Sequence, residues 1–341
     1  MALSKLGSKK EPLRFGLIGA GAIVKHAYLP ALRNISDIVL TSIVDTNIEI
    51  IAELSRKCEL NYIGTDIGQS LEHVDAVVVA VPNYLHFPIC RTFLKARKHV
   101  LCEKPMTTST ETARDLAECA KKNGVKLAVA HIRRFYPSSQ AIWKIIKDRQ
   151  LGKVVSFDCQ EGVVFNWPTT SGFLFDREKA GGGVLMDIGI HLVDLLMWWF
   201  DSEPGLLVYE DDSLGGVEAF SKLKLTFDNK MEGSVQLSRL SQLRNNYRIQ
   251  CEKGIIEYNP LNLERFYIYA DDGLLQRRPR MYKATKRKSS FIDAVEAMLH
   301  NFSTAVLENT EPMATGEEAT RVIGFIQECY ENRQQIRMPW L

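Results

Sequence analysis

No apolar run in these 341 residues is long enough to cross a membrane unbroken. The nearest, Val184–Phe200, is interrupted by Asp187, His191 and Asp194, which suits a buried helix rather than a span. Neither sign of charge prevails. With 43 Lys and Arg against 41 Asp and Glu, the formal net charge is +2, which offers no general attraction to nucleic acid or to an anionic membrane. Cysteine is sparse, and no two of Cys58, Cys90, Cys102, Cys119, Cys159, Cys251 and Cys329 have the spacing of a metal knuckle. They read as free thiols in a reducing cytoplasm. The opening MALSKLGSKKEPL lacks the apolar centre of a secretory signal and reads as a mobile arm over residues 1–13. No internal repeat is present, and the length allows two domains with separate cores.

What is there begins at Phe15–Leu32, FGLIGAGAIVKHAYLPAL. Phe15-Gly16-Leu17-Ile18 suits a buried strand. Gly19-Ala20-Gly21 makes a tight turn, and Ile23, Ala27, Leu29 and Leu32 then recur at helical spacing. This is the order of a dinucleotide fingerprint: one glycine for the turn, one for close approach of a diphosphate, and a helix N-terminus at Ala22 and Ile23 with free N–H groups. The third glycine position holds Val24. A strand–turn–helix without ligand shares the pattern, so downstream residues carry the weight.

Strands and helices alternate from residue 14 to 130, with apolar runs at Val39–Val44, Ala76–Val81, His99–Cys102 and Leu127–Ala130. One helix follows Asp45, where Thr46 and Glu49 match a capping box. Another starts near Thr108 and stops at Asn123-Gly124. Such alternation implies a doubly wound parallel sheet. The polar residues follow strand ends: Gly19 and Gly21, then Asp45 and Thr46, then Pro82, Asn83 and His86, then Glu103 and Lys104. Ligands of open parallel sheets bind beyond the carboxyl ends of the strands, so one crevice collects these groups as a cofactor set. Asp45 stands about two dozen residues after the glycines, where a carboxylate takes ribose hydroxyls. It repels a 2′-phosphate and no arginine adjoins it, which favours NAD over NADP; it reads equally as a turn residue. Lys104, between a strand and a proline, suits proton exchange at a cofactor, or a loop ion pair with Glu103.

From residue 131 the texture changes. HIRRFYP and an amphipathic helix form a joint. Strand-like runs follow at Val154–Phe165, Leu206–Tyr209, Ala219–Phe227, Met231–Ser238, Tyr247–Cys251, Ile255–Tyr258 and Phe266–Ala270, with turns at Asp228-Asn229 and Asp271-Asp272-Gly273. Helices at Phe291–Leu307 and Gly316–Gln334 close an α+β domain over 131–341 with a large, mostly antiparallel open sheet. Within it, Gly181-Gly182-Gly183 precedes Asp187, His191 and Asp194. On a helix these three share one face, and a carboxylate beside the imidazole raises its pKa and suits it to proton transfer. A satisfied core histidine is the alternative. No third zinc ligand accompanies them, so no metal site is read. Arg134, Tyr136, Asn166 and Trp167 form a candidate substrate wall. The basic Arg277–Lys288 reads first as a solvated loop and second as a diphosphate site; without interleaved aromatics it does not suggest nucleic-acid binding.

The stretches GLIGAGAIVKHAYLPAL, VAVPNYLH, VLCEKP, HIRRFYP, AGGGVLMDIGIHLVDLLMWW and PMATGEEATRVIGFIQECYEN together resemble the Gfo/Idh/MocA family of sugar and inositol oxidoreductases, over nearly the whole chain. The resemblance implies a Rossmann domain and a C-terminal domain whose sheet builds homodimers or homotetramers. It also implies a carbohydrate or cyclitol substrate, Lys104 near the nicotinamide, His191 as acid/base, and Asp187 orienting it or binding a substrate hydroxyl. It further implies a cis Lys104-Pro105 bond. Phe173-Leu174 stands where many relatives have Trp-Arg. Glycoside hydrolysis with transient oxidation, hydride exchange between two sugars, and dinucleotide sensing without turnover are the alternatives in that family.

Overall fold

Apolar runs too continuous for a half-exposed strand are stable only where both faces are covered, and the first third of the chain supplies such runs. A computed structural model describes residues 11–56, 60–166, 172–270 and 279–336. In it, β1 (Leu13–Ile18), β2 (Ile38–Val44), β3 (Tyr62–Gly64), β4 (Ala76–Val79), β5 (His99–Cys102) and β6 (Leu127–Val129) form a parallel sheet in the order β3-β2-β1-β4-β5-β6. β3 was not expected; three half-buried residues leave no readable run. The first strand begins at Leu13, inside the stretch assigned to the arm, because Leu13 is buried. The rest of that arm up to residue 10 lies outside the described residues.

The order places a topological switch between β1 and β4. Register then levels the strand ends. Ile18 pairs with Val44 and Val79, Val79 with Cys102, and Cys102 with Val129. Whatever follows these five residues therefore lies along one edge.

The second sheet has nine strands: β7 (Val154–Gly162), β8 (Gly205–Asp211), β9 (Phe220–Phe227), β10 (Met231–Ser238), β11 (Asn246–Cys251), β12 (Gly254–Tyr258), β13 (Arg265–Ala270), β14 (Pro279–Lys283) and β15 (Gln334–Gln335). Their order is β14-β13-β12-β11-β7-β10-β9-β8-β15, with only the β7–β10 and β8–β15 pairs parallel. The expected strand to Phe165 stops at Gly162, where a side chain would lie 2.7 Å from the Ser241 carbonyl oxygen. β14 corrects the loop reading of the basic stretch: Arg280 and Lys283 lie on an exposed edge strand without alternation, while Arg277, Arg278 and the turn at Asp271–Gly273 lie outside the described residues.

Alternation decides the two faces of this sheet. Leu223, Leu225, Val235, Leu237, Tyr247 and Ile249 are buried in one cluster with the helix Ile190–Phe200, and Lys222, Lys224 and Arg248 are exposed on the opposite face. The stretch Arg177–Phe200 is apolar and long enough to span a membrane, but 78% of its most apolar window is buried inside the protein. The closing helices Phe291–Glu308 and Gly316–Glu331 return to the first sheet. Phe302 meets Phe15 edge-on at 6.0 Å, and Ala319 and Ile323 join the cluster of Leu116 and Val129. The six cysteines among the described residues are free, and five are buried.

Candidate active site

The edge set by the strand register begins with Gly19. Its φ of +90° suits glycine, and a Cβ there would lie 2.3 Å from the Ala80 carbonyl oxygen. Gly21 is the opposite case: exposed, with open space where a Cβ would be. The turn thus presents bare backbone, with Ala22 and Ile23 opening the helix behind it. Val24, at the position usual for a third glycine, is fully buried, and the helix widens into a π turn over Val24–Tyr28 just before Pro30, which has no N–H to donate. Asp45 closes the floor: its Oδ2 accepts from the Ala20 N–H at 2.6 Å and its Oδ1 from Asn47 N–H at 2.8 Å. The capping box expected of Thr46 and Glu49 does not form. Asn47 caps instead, accepting from the Glu49 and Ile50 N–H groups, and leaves Thr46 exposed beside Asp45.

After β4, Pro82 begins the helix Asn83–Lys95. Two polar residues here brace the loops around the crevice. Asn83 is buried and donates to the Ala180 carbonyl at 2.8 Å, tying this helix to the glycine run. His86 is fully buried between the Pro105 and Val81 carbonyl oxygens, at 2.7 and 2.8 Å. Burial lowers its pKa, and the two carbonyls only partly offset that. A ring so held fixes the loop after β5 against the loop after β4.

That β5 loop carries Glu103 and Lys104. Glu103 accepts from Tyr28 Oη at 2.6 Å, and its carboxyl is raised by burial against the opposing effects of Tyr28 and Lys104. Lys104-Pro105 is cis. The Lys104 ammonium reaches across to the second domain and donates to both the Asp187 backbone oxygen and Asp187 Oδ1, each at 2.8 Å. On its other side, Asp187 Oδ2 lies 2.7 Å from Arg239 Nη2. Burial alone would raise the Asp187 pKa; the two cations hold it well below the usual carboxylate range.

Asp187, His191 and Asp194 lie on one helix, a π turn over Leu185–Gly189 followed by an α-helix from Ile190, but they make no hydrogen bond with one another. Asp194 instead takes Arg134, at 2.7 Å from Nη2, with His131 Nδ1 at 3.6 Å. His191 is depressed, not raised. Burial comes first, and then the positive charges of Lys104 and Arg133 with His131 beyond. Its Nδ1 is buried without a hydrogen-bond partner. Each of these effects favours the neutral imidazole.

The substrate wall fares unevenly. The Arg134 guanidinium is held by Asp194, Glu318 and the Met313 carbonyl and is 1% exposed, so it braces the fold. Tyr136 is buried in the apolar cluster of Ile132 and Phe135, its hydroxyl pushed up to about 12 mainly by burial. Asn166 is exposed. Trp167 lies outside the described residues. Two residues of this region were not anticipated from the sequence, Arg239 and Glu218. Arg239 follows β10 in a mostly antiparallel sheet, where the strand-end rule for parallel sheets gives no expectation. Glu218 left no signal either.

Glu218 explains the triple glycine. Its buried carboxylate accepts from Gly183 and Leu185 N–H at 2.8 and 2.9 Å and from Tyr330 Oη at 2.8 Å, an acid at a helix N-terminus. A Cβ on Gly183 would lie 1.9 Å from the Glu218 carbonyl oxygen, and one on Gly182 2.0 Å from Tyr330 Oη. The close approach is to the protein itself. Gly183→Ala is expected to destabilise the fold by about 1–3 kcal/mol through this overpacking, read as a lower midpoint in urea.

Residues 13–131 match the family model described as the Gfo/Idh/MocA oxidoreductase family, NAD-binding Rossmann fold, and residues 139–257 match that family's C-terminal domain. The D-xylose 1-dehydrogenase [NADP(+)] of Haloarcula marismortui is 25% identical over 336 residues, 94% of this chain and 91% of that protein. The scyllo-inositol 2-dehydrogenase (NADP(+)) of Bacillus subtilis is 27% identical over 272 residues, covering 77% and 81%. Among solved structures, levoglucosan dehydrogenase in complex with NADH and levoglucosan superposes with a TM-score of 0.85 at 21% identity, covering 94% of this chain and 97% of that one. With both family models matched in sequence, and a switch-point crevice that brings a strand-end lysine to a second-domain aspartate, the chain belongs to the Gfo/Idh/MocA family of oxidoreductases.

Proposed function

We propose that the protein exchanges a hydride between a nicotinamide dinucleotide and a carbon bearing hydroxyl or carbonyl on a sugar, nucleotide-linked sugar or cyclitol. The observation that carries this reading is the 2.8 Å contact of Lys104 with Asp187 beside a neutral, buried-nitrogen His191, at the carboxyl edge of a parallel sheet. The residues at that edge fit a dinucleotide: Gly21 leaves open space for a diphosphate, the helix at Ala22 and Ile23 offers N–H groups, and Asp45 stands at the end of β2. The bound nicotinamide supplies the hydride chemistry. The chain supplies the rest. Lys104 donates to the reacting oxygen and stabilises negative charge there. His191 takes the hydroxyl proton in oxidation and returns it in reduction. Asp187 fixes the ammonium and accepts from a substrate hydroxyl.

NAD is favoured over NADP. Asp45 would repel a 2′-phosphate, and Lys25, the first cation after the glycine turn, is paired with Glu53 at 3.2 Å. The relatives' use of NADP makes this the point to measure. Homodimers or homotetramers through the outward face of the nine-stranded sheet, and a domain boundary near residues 130 and 131, belong to the same reading. The test is a panel of sugars, ketosugars and cyclitols with NAD(H) and NADP(H), followed at the nicotinamide absorbance. Turnover with at least one polyol, faster with NAD, is expected. Turnover of a glycoside without net absorbance change would favour the hydrolytic reading, and tight binding of the dinucleotide with no turnover of any kind would favour the sensor.

A further inference from the structure

Arg239 is placed where neither the mechanism above nor the sequence motifs use it. It is 5% exposed, its backbone is fixed at the end of β10 by bonds to Ala219 and Phe165, and its guanidinium lies 5.3 Å over the Phe165 ring. Its Nη2 approaches Asp187 Oδ2 to 2.7 Å, yet Nε and Nη2 make no aligned hydrogen bond. Opposite charge holds the contact, between a nearly buried guanidinium and a carboxylate side chain that is 28% exposed. A carboxylate has two oxygens, and here each has its own cation: Lys104 from the loop after β5 on Oδ1, Arg239 from the second sheet on Oδ2. Four residues on, His191 has a buried Nδ1 with no partner, although Asp187 is its near neighbour in sequence.

We propose that Arg239 is a positioning residue of this site: from the end of β10 it holds the Asp187 carboxylate on Lys104 and away from His191, so that ammonium and imidazole act as separate groups. This rests on the reading of Lys104 and His191 given above. Without Arg239, one carboxylate oxygen loses its cation and is free to turn toward the unpartnered Nδ1. An anion there favours the imidazolium, which opposes the effects that now keep the ring neutral, namely burial, Lys104, Arg133 and His131.

The experiment is the pH titration of the His191 ring nitrogens by 15N NMR, assigned with His191→Asn, in wild type, Arg239→Gln, Arg239→Lys and the double variant Arg239→Gln/Asp187→Asn. The wild-type signal is expected to stay that of a neutral ring as the pH falls past the ordinary histidine value of about 6.5. Arg239→Gln is expected to bring the titration up by about one unit or more, Arg239→Lys to restore the wild-type signal, and the double variant to cancel the rise. In turnover, the acid limb of kcat/KM should move by the same amount. A wild-type ring that titrates at or above the ordinary value overturns the proposal without any variant, since the carboxylate would already act on it. A folded Arg239→Gln whose ring signal is unchanged overturns it too, because Lys104 alone would then suffice. None of these signals needs a known substrate, so a silent sugar panel would remove the assigned reaction and leave this inference decidable.

Discussion

Lys104→Met is expected to lower kcat/KM by about 10²–10³-fold while binding of the dinucleotide, read by nicotinamide fluorescence, is retained. The ammonium is held by two oxygens of Asp187 at 2.8 Å and is partly exposed, so it has both a fixed place and open donor capacity. A group preorganised in this way stabilises charge that develops on the reacting oxygen without reorganising at that moment. Methionine keeps the length and apolar stem but removes the charge. Asp187 would still face Arg239, so the fold should persist, and an unchanged melting temperature is part of the expected result. Near-normal turnover in Lys104→Met would take the ammonium out of the reaction and with it the assignment of the crevice.

His191→Asn is the second large effect, with an expected loss of about 10²–10⁴-fold in turnover, the usual contribution of a general acid–base. Its pH signature separates it from the lysine variant. Burial, Lys104, Arg133 and His131 depress the imidazole, so the neutral form persists below the ordinary histidine value. Oxidation of a hydroxyl should therefore show no acid limb near pH 6.5 in wild type. Linkage gives an independent check. A histidine depressed in the fold binds its proton more readily when unfolded, so stability is lost as pH falls below the unfolded value of about 6.5, by up to about 1.4 kcal/mol per pH unit for this residue. His191→Asn should flatten that slope in urea unfolding. An acid limb centred at or above 6.5 that survives the substitution would place the essential base elsewhere.

The way these residues came to light differs by element. Gly19, Gly21, Asp45 and Lys104 were legible because each follows a buried run, and in a parallel sheet every such run ends on the same side. The observed pairing of Ile18, Val44, Val79, Cys102 and Val129 in one row is that rule made physical. Met231–Ser238 was legible to its ends, since alternation with one buried face fixes a strand strongly. β3 and β14 were not, the one for lack of length and the other for lack of a buried face.

The sequence by itself determined the order of elements, the glycine turn, the strand-end chemistry and the family, because local periodicity and the steric needs of glycine are written residue by residue. Only the tertiary structure decided the partners. Asp187 went to Lys104 and Arg239, Asp194 and Arg134 closed on each other inside the fold, and the triple glycine served Glu218 and Tyr330. Charges choose partners by distance in space, and the residues that met here are between 35 and 148 positions apart, or, as with Asp187 and His191, near in sequence and unbonded.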